Sequence, residues 1–469
     1  MATLYPIILL CVYGFFSSTR PSEPFLALYL TGPDQNLTET QVVNEIFPIW
    51  TYSYLLLLFP VFLATDYLCY KPVLVLQATS LVVTYVMLWK TRGVLAMQFL
   101  EFFYGLATAT EVAYYSYIYS VVEPENYKRV TAYCRSVALF GSAAGSLIGQ
   151  LLFSMAGVEL LYLVIITLVS ATVAFSAPWF LPMPKRSLFF HKNPGATEDS
   201  PSRRSCSSQI DKVEDLQSQV SMLSRSSRAG VQNGGLLEVL KMLLKDLVQC
   251  YKSRPLLTWS VWWALATCGY FQIINYAQPL WETVRSSPDD SVYNGYVETL
   301  STLLGALAAL LVGYLPVSWS RWGELALCVL SMLMAVCVFV MDLLKNIWVC
   351  YSSYVLFRAT YMLLITVVTY QIAASLSMQR YALVFGVNTF GALLLQTLLT
   401  VIVVDSSGLN LNVTTQFLIY GGYFALISVI FLLAGLYRLA SMRGSKEEGL
   451  DDVQAESSSC SNNDVTRSM

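Results

Sequence analysis

The sequence predicts an all-α membrane protein in which twelve spanning helices divide into two halves of six. Hydrophobic residues make up 56% of the 469 positions and charged residues only 12%, whereas soluble domains carry about 25% charged residues. The apolar residues form blocks of roughly 20, the length at which a helix crosses a bilayer. One long polar connector separates the first six blocks from the last six.

The twelve blocks are predicted to be helices, because isolated strands would leave backbone hydrogen-bonding groups unpaired in lipid. The predicted spans are 5–30, 46–66, 72–89, 94–122, 130–155, 160–182, 256–283, 293–316, 323–343, 346–376, 381–404 and 415–437. They define a first half (1–182), a cytoplasmic connector (183–255), a second half (256–437) and a cytoplasmic tail (438–469) that is predicted to be disordered.

The first span contains a polar interruption, "STRPSEPFLALYL" at residues 18–30. Arg20 and Glu23 are charged, and Pro21 and Pro24 cannot donate backbone hydrogen bonds. Each ionisable group at the centre of a bilayer costs roughly 2.5–3.5 kcal/mol, so such groups are candidates for function. We therefore predict a break in this helix that faces a central cavity.

The fourth span, "EFFYGLATATEVAYYSY", places polar side chains three and four residues apart, which puts them on one helix face. They are Glu101, Tyr104, Thr108, Glu111 and Tyr115. On a continuous helix the two carboxylates would stand roughly 15 Å apart. Each glutamate either is neutralised by a fixed arginine or binds a ligand. The pattern favours a ligand for Glu101, whereas both roles are open for Glu111, because Arg135 lies on the next span.

The seventh span, "YFQIINYAQPLWE", resembles the first in having polar groups followed by a proline, here Pro279. Broken helices at corresponding places of two halves point to a transport site, so a second break is predicted. Aromatic residues cluster early in the second span, among them Phe47 and Trp50. Most such residues serve packing, but carboxylates beside aromatic faces are what an organic cation requires.

The connector combines two kinds of sequence. "SPSRRSCSSQ" is rich in Ser and Arg and is predicted to be disordered. "LLEVLKMLLKDLVQCYKS" places Glu238, Lys241, Lys245, Gln249 and Lys252 on one stripe, with leucines opposite. This pattern predicts an amphipathic helix that lies on the inner membrane surface or against the bundle.

Basic residues predict the orientation of the chain. Lys and Arg concentrate in segments that are cytoplasmic if both termini lie inside the cell. Two glycosylation sequons, at Asn36 and Asn412, then fall in extracellular loops, which is where N-linked glycans are found. The two signals agree, and they predict a multi-pass protein with cytoplasmic N- and C-termini.

Composition argues against several other classes of protein. The net charge of −2 shows no basic bias toward nucleic acid. The single histidine, His191, lies in the connector, and the ten cysteines form no CxxC pair. We therefore predict no enzyme, no cofactor and no metal site. Two six-helix halves around a cytoplasmic connector are typical of major-facilitator transporters, which bind substrate between the halves near mid-membrane.

Seven stretches of the chain resemble the folate/thiamine carrier family of vertebrate plasma membranes. They are "RPSEPFL", "NEIFPIWTYSYL", "EFFYG", "YSYIYSVV", "SVWWALATCGYFQ", "YNGYVE" and "QRYALVFGVNTF". Within this family the chain is most similar to the thiamine-carrying members of the high-affinity type. Folate carriers, which move a dianion, have an arginine at the place of Glu111 and a lysine at the place of Gln396. The acid and the neutral amide found here favour a cationic substrate.

The resemblance implies import of thiamine at the plasma membrane by alternating access, driven by exchange for protons. It implies that Glu101 pairs with the aminopyrimidine, stacked among Phe47, Trp50 and Tyr104. Glu23 would lie near the hydroxyethyl end, and Asn275 and Glu298 would close the site from the second half. Arg135 and Arg358 join Glu111 as candidates for charge balance or coupling. The alternatives are a carrier of reduced folate or another organic anion and, outside this class, a channel or an enzyme.

Overall fold

The structure, a computed structural model, describes two long parts of the chain. These are residues 4–183 apart from 69, 112, 115, 116 and 118–126, and residues 245–437 apart from 246, 286–290, 315–318 and 375–377. The Ser/Arg-rich segment, most of the predicted amphipathic helix, the tail and Tyr115 lie outside these residues. Residues 247–251, at the end of that predicted helix, are helical.

Each of the twelve predicted spans contains helix. The first half consists of α1 (Leu4–Ser18), α2 (Leu26–Thr31), α3 (Phe47–Tyr67), α4 (Lys71–Lys90), α5 (Val94–Ala109), α6 (Tyr127–Ser154) and α7 (Leu160–Phe180). The second half consists of α8 (Arg254–Val284), α9 (Asn294–Tyr314), α10 (Trp319–Leu343), α11 (Ile347–Ala374), α12 (Met378–Val403) and α13 (Val413–Tyr437). A six-residue π-helical segment, Gln41–Ile46, leads directly into α3.

Nine helices of the described residues are long and apolar enough to cross a membrane. The three predicted spans outside this group are the first, fourth and seventh. The first is divided into α1 and α2, and the described helix of the fourth has 16 residues. The seventh, α8, is 31 residues long but contains many polar side chains. The spans that depart most from a plain hydrophobic helix are therefore those that contain Glu23, Glu101 and Asn275.

The break in the first span is present as predicted. After α1 ends at Ser18, a 3₁₀ turn spans Glu23–Phe25 and α2 follows. This segment lies directly on the backbone of α6, because glycines there leave no side chain in between. A Cβ atom on Gly145 would lie 2.6 Å from the amide nitrogen of Arg20, and one on Gly149 would lie 2.3 Å from the carbonyl oxygen of Pro21. Helix packing of this kind needs small residues four apart.

The second predicted break is wrong. Helix α8 continues through Pro279 without interruption, as α3 does through Pro60 and α7 through Pro178. One proline removes one backbone donor, and a membrane helix absorbs that loss. The first span has two prolines within four residues beside two charged side chains, and there the helix ends.

Two pairs of helices form the main contacts between the two halves in the described part of the chain. Helix α6 packs on α9, and α3 packs on α12. We call the end that contains Asn36 and Asn412 the sequon end, and the opposite end, where the connector leaves α7, the connector end. Among the described residues, hydrogen bonds between the halves lie mainly toward the sequon end. The Gln150 side chain, for example, donates to the carbonyl of Val292 at 2.7 Å and accepts from the amide of Gly295 at 2.8 Å.

The loop between α12 and α13 contributes to the same closure. The Tyr52 hydroxyl donates to Oδ2 of Asp405 at 2.6 Å, and Asn44 donates to the carbonyls of Val404 and Leu411. Burial alone would raise the pKa of Asp405, but hydrogen bonds from Ser407 and Tyr52 outweigh it and lower this pKa below its ordinary value. Asp405 is therefore ionised at neutral pH and accepts the hydrogen bond from the first half.

Candidate functional site

A cavity of about 160 Å³ lies on the inner face of the first half, between α1, α3, α4, α5 and α6. Its lining combines aromatic rings with charged and hydroxyl groups, namely Arg20, Trp50, Tyr104, Thr108, Glu111 and Tyr114. Most of these residues were singled out from the sequence as site or coupling candidates or as part of the predicted break. The cavity therefore brings the break together with part of the predicted polar face of the fourth span, whereas Glu101 does not line it.

Arg20, Glu23 and Tyr104 form a hydrogen-bonded network at the edge of this cavity. The Tyr104 hydroxyl donates to Oε1 of Glu23 at 2.6 Å, and Nη1 of Arg20 donates to the same hydroxyl at 2.8 Å. Arg20 also forms a 3.3 Å salt bridge with Glu23, whose side chain is 43% exposed. The break in the first span thus supplies an acid that is already paired with a base, so this pair adds no net charge to the site.

Glu101 differs from Glu23 in having no basic partner among the described residues. It is 5% exposed, and no salt bridge of the described residues includes it. Ser53 donates to its backbone carbonyl, at 3.5 Å, rather than to its carboxylate. A buried carboxylate without a cation is costly. The Glu101 carboxylate is therefore stable in this buried position only when it binds a proton or a cationic ligand.

Aromatic side chains of α3 connect the first half to the second. The Phe47 ring lies 6.3 Å from that of Tyr276, and the Trp50 ring lies edge-on to Phe271 at 5.9 Å. The Trp50 indole also donates to Thr108 at 3.2 Å, which fixes this ring against α5. Both predicted aromatic residues therefore lie in the cleft between the two halves, and each contacts an aromatic ring of the second half.

Helix α8 brings polar groups to the same interface. The Nδ2 atom of Asn275 is buried and has no hydrogen-bond acceptor among the described residues, and the hydroxyl of the adjacent Tyr276 is also without a partner there. Tyr276 itself faces the first half, with its ring 6.3 Å from that of Phe47. Unpaired polar atoms in a buried position are uncommon and mark places where a ligand or water is bound. Tyr276 was not predicted from the sequence, where it was one of many tyrosines.

Glu298 is paired within the second half. Arg358 donates to its Oε2 atom, and the Tyr354 hydroxyl donates to its Oε1 atom at 2.7 Å. Arg358 also donates to Ser301 at 2.9 Å. The Arg358 and Glu298 side chains are only 13% and 20% exposed. Of the two roles that the sequence left open for intramembrane acids, this geometry favours neutralisation by a fixed arginine, and the predicted contact of Glu298 with substrate stays a prediction.

Glu111 lies beyond the end of the helix that contains Glu101. Helix α5 ends at Ala109, and the amide of Glu111 bonds back three residues to Thr108 at 3.2 Å, as in a tight turn. Glu111 and Arg135 are both exposed, and no salt bridge of the described residues joins them. The described residues therefore show neither a continuous helix from Glu101 to Glu111 nor a salt bridge between Glu111 and Arg135. Glu111 instead lines the cavity with a carboxylate that has no salt bridge in this part of the chain.

Gln396 lies on the opposite wall and is fully buried. Its Nε2 atom donates to the Thr51 hydroxyl of the first half at 3.3 Å, and its Oε1 atom has no donor among the described residues. The backbone carbonyl of Gln396 accepts a hydrogen bond from Gln272 at 3.3 Å. The residue that distinguishes thiamine from folate carriers in the predicted family pattern therefore lies at a contact between the halves.

The remaining predicted positions lie away from this cleft. Asn36 and Asn412 are both exposed in loops at the sequon end. Among the described residues, no group of three or more His, Cys, Asp or Glu side chains is placed to hold a metal ion.

Comparison with known proteins places the chain among transporters. A model of the family described as "Reduced folate carrier" matches residues 2–419. The chain is 58% identical to Thiamine transporter 1 of Homo sapiens over 446 residues, which cover 92% of this chain and 89% of that protein. It is 39% identical to the Reduced folate transporter of Homo sapiens over 432 residues, which cover 91% of this chain and 71% of that protein.

Solved transporter structures share the fold. A mutant form of the nucleoside transporter NupG matches with a TM-score of 0.61 at 13% identity, covering 91% of this chain and 99% of that one. A POT family transporter in complex with 5-aminolevulinic acid gives a TM-score of 0.61 at 13% identity, covering 92% and 96%. At such low identity the likeness concerns the fold alone, and it confirms the predicted major-facilitator architecture.

Proposed function

Because the chain belongs to the reduced folate carrier family, whose members are transporters and not enzymes, we propose that it carries thiamine across the plasma membrane by alternating access. The observation that supports this most is the Glu101 carboxylate, which is buried and has no basic partner among the described residues. Thiamine carries a permanent positive charge on its thiazolium ring and hydrogen-bond donors on its aminopyrimidine. Such a ligand can satisfy this carboxylate.

The proposed binding mode uses both halves of the cleft. Glu101 accepts from the aminopyrimidine, while Phe47, Trp50 and Tyr104 provide aromatic faces that attract a cation. Glu23 approaches the hydroxyethyl end. From the second half, the Nδ2 atom of Asn275 is a buried donor without an acceptor among the described residues, which suits a ligand that accepts a hydrogen bond.

We further propose that a proton and thiamine alternate at Glu101. A carboxylate in this position cannot remain charged and unpaired at low cost, so release of the cation favours uptake of a proton. An inward proton gradient should oppose import and an outward gradient should drive it. Uptake into vesicles with imposed pH gradients tests the direction. A rate that does not change with the gradient would refute the coupling and leave the substrate assignment untouched.

The alternative substrate is a reduced folate or another organic anion, since a folate transporter is also a relative. The charge balance of the cleft argues against it. Arg20 is paired with Glu23, and Arg358 with Glu298, whereas Glu101 and Glu111 have no salt-bridge partner among the described residues. Arg135 also has no salt bridge in this part of the chain, so four acids stand against three bases and a dianion would meet one net negative charge.

The double variant Glu111→Arg/Gln396→Lys tests this assignment. It adds three positive charges to the cleft, two from Glu to Arg and one from Gln to Lys. Thiamine uptake should be abolished, while folate analogues gain weak competition. Surface biotinylation must show normal delivery, because a misfolded variant would also lose uptake. If the variant reaches the surface and still carries thiamine at near-normal rates, these two residues do not set the charge of the substrate.

The proposed location is the plasma membrane, with the sequon end outside and both termini in the cytoplasm. The exposure of Asn36 and Asn412 supports it. Asn36→Gln and Asn412→Gln should each remove one glycan, seen as a loss of apparent mass that glycosidase treatment abolishes. Antibody binding to a tag placed within 195–235 should require permeabilised cells. Binding to that tag on intact cells would reverse the orientation.

A further inference from the structure

The broken segment of the first span is held by two side chains of the second half. Nε2 of Gln278 donates to the carbonyl of Glu23 at 2.9 Å, and Oε1 of the same side chain accepts from the amide of Ala27 at 3.2 Å. Nδ2 of Asn294 donates to the carbonyl of Pro24 at 3.2 Å. Gln278 lies on α8 and Asn294 begins α9, so the bonds of both side chains cross between the halves at the sequon end.

These bonds engage backbone groups of the break, namely the Ala27 amide and the carbonyls of Pro24 and Glu23, of which the Glu23 carbonyl also accepts from the amide of Leu26. Where a helix is interrupted, carbonyl and amide groups lose their partners along the chain, and in a membrane no lipid group replaces them. When the sequon end is open, water can bind them. When it is closed, Gln278 and Asn294 replace this water, so the break gains these hydrogen bonds on closure.

Asn294 is itself held in place for this contact. It is 1% exposed, and its Oδ1 atom accepts from the Tyr351 hydroxyl at 2.9 Å. That bond fixes the amide so that its nitrogen points to Pro24. The adjacent Gly295 approaches α6 so closely that a Cβ atom would lie 2.6 Å from the carbonyl oxygen of Ser146. The contact is therefore part of a tightly packed seam between the halves.

Glu23 belongs to both the seam and the site. Its backbone carbonyl is bound by Gln278, and its carboxylate is bound by Tyr104 and Arg20 at the cavity. Glu23 thus connects two functions: its carbonyl takes part in closing the sequon end, and its carboxylate faces the ligand. A shift of this turn cannot change one of these contacts and leave the other unchanged.

We propose that Gln278 and Asn294 are positioning residues that place the Glu23 carboxylate against Tyr104 when the sequon end closes. Closure of that end and completion of the binding site are then one event, and a ligand that contacts Glu23 favours the closed arrangement. This coupling rests on the proposed transport of thiamine, but the clamp on the break is independent of the identity of the substrate.

The clamp is tested by cysteine labelling of the purified, full-length protein in detergent, which does not depend on membrane orientation. The reporter is Ser146→Cys, which lies buried in the seam beside Gly295, and its labelling is read on the peptide that contains residue 146 because the chain has ten native cysteines. In this background, Gln278→Met keeps the volume and removes the polar contacts. Two lost hydrogen bonds should raise the rate of maleimide labelling at least about fivefold. Gln98→Met is the matched control, because Gln98 binds the carbonyl of Glu45 within the first half at 3.0 Å.

Asn294→Asp provides a second variant of unchanged size, which still accepts from Tyr351 but no longer donates to Pro24. Faster labelling in both variants, with the rate of Gln98→Met unchanged, supports the clamp. Equal rates in all variants refute it. Loss of folded protein in both variants also refutes it, because the two residues would then serve overall stability. Circular dichroism melting of each purified variant distinguishes this outcome.

Coupling to the site is read from protection by thiamine. Bound thiamine should slow labelling of the reporter in the parent protein, and Gln278→Met should weaken this protection at least about fivefold. Protection that is equal in both proteins refutes the coupling while leaving the clamp in place. If thiamine protects neither protein although labelling rises in the variants, the clamp stands and the proposed substrate is wrong.

Discussion

The clearest prediction concerns the substitution Glu101→Gln. It keeps the size and shape of the side chain and removes the negative charge. Because Glu101 is 5% exposed and has no salt bridge among the described residues, the substitution leaves no basic group of that part of the chain unpaired. The protein should therefore fold and reach the surface at normal levels. Its thermal midpoint without ligand should be unchanged or higher, since a buried charge without a partner has been removed.

The expected loss of thiamine binding follows from one charged hydrogen bond. Such a bond contributes about 1.5–3 kcal/mol. At about 1.4 kcal/mol for each factor of ten, this corresponds to a roughly tenfold to 150-fold weaker Kd. A protonated carboxyl group and a neutral amide are similar in size, so packing changes should add little to this loss. The measurement is titration of the purified protein with thiamine by calorimetry, together with uptake of labelled thiamine in cells.

Glu159→Gln is the matched control, because Glu159 is exposed before α7, far from the cavity. It should change neither binding nor stability. Saturable uptake with normal affinity in Glu101→Gln would refute the assignment of Glu101 to the ligand. A large drop in thermal midpoint without ligand would refute the argument in a different way, since it would mean that the carboxylate has a structural partner.

Three further substitutions separate structure from ligand contact. Glu298→Gln leaves Arg358 buried without its acid, which should cost about 3 kcal/mol or more and lower the thermal midpoint; an unchanged midpoint would contradict the pairing. Gly145→Ala forces a Cβ atom against the backbone of the break and should reduce both stability and uptake, whereas Gly422→Ala, with no atom within 4 Å, should be tolerated. The pKa of Asp405 is lowered, so its stabilising effect persists above the ordinary carboxyl pKa of about 3.9 and is lost as the pH falls below it. The thermal midpoint should therefore fall in that acid range, and Asp405→Asn should reduce this fall; an equal fall in both proteins would contradict it.

The number and order of helices could be predicted from the sequence because lipid imposes one dominant rule. Any apolar block of sufficient length must be a helix there. The break at Arg20 and Glu23 followed from the same rule, since charges and two prolines are incompatible with a plain span. The end of α5 before Glu111 could not be predicted in this way. It depends on a tight turn whose Thr110 hydroxyl bonds to the carbonyl of Leu106 at 2.7 Å, and hydropathy is insensitive to such a local contact.

Charge pairing was less predictable than charge position. The sequence showed which acids lie in the membrane, but it could not show that Arg358 pairs with Glu298 while Arg135 remains exposed. Gln278 and Asn294 were missed for a related reason, because a neutral amide gives little signal in a hydropathy profile. The sequence does contain one signal for the contact between the break and α6. The glycines at 141, 145 and 149 are spaced by four, which predicts close helix contact.

The arrangement of acids explains why the first span of this chain is interrupted. Two intramembrane acids, Glu23 and Glu298, are paired with arginines, and they hold their own half together. Two others, Glu101 and Glu111, have no salt-bridge partner in the described part of the chain, and against the one unpaired base, Arg135, they leave one net negative charge. A rigid site with that charge would bind a cation and retain it. Capture from outside requires that the site be open on that side, and the break provides the means, since its hydrogen bonds to the second half depend on closure of the sequon end. The polar interruption thus couples capture of an external cation to closure of that end.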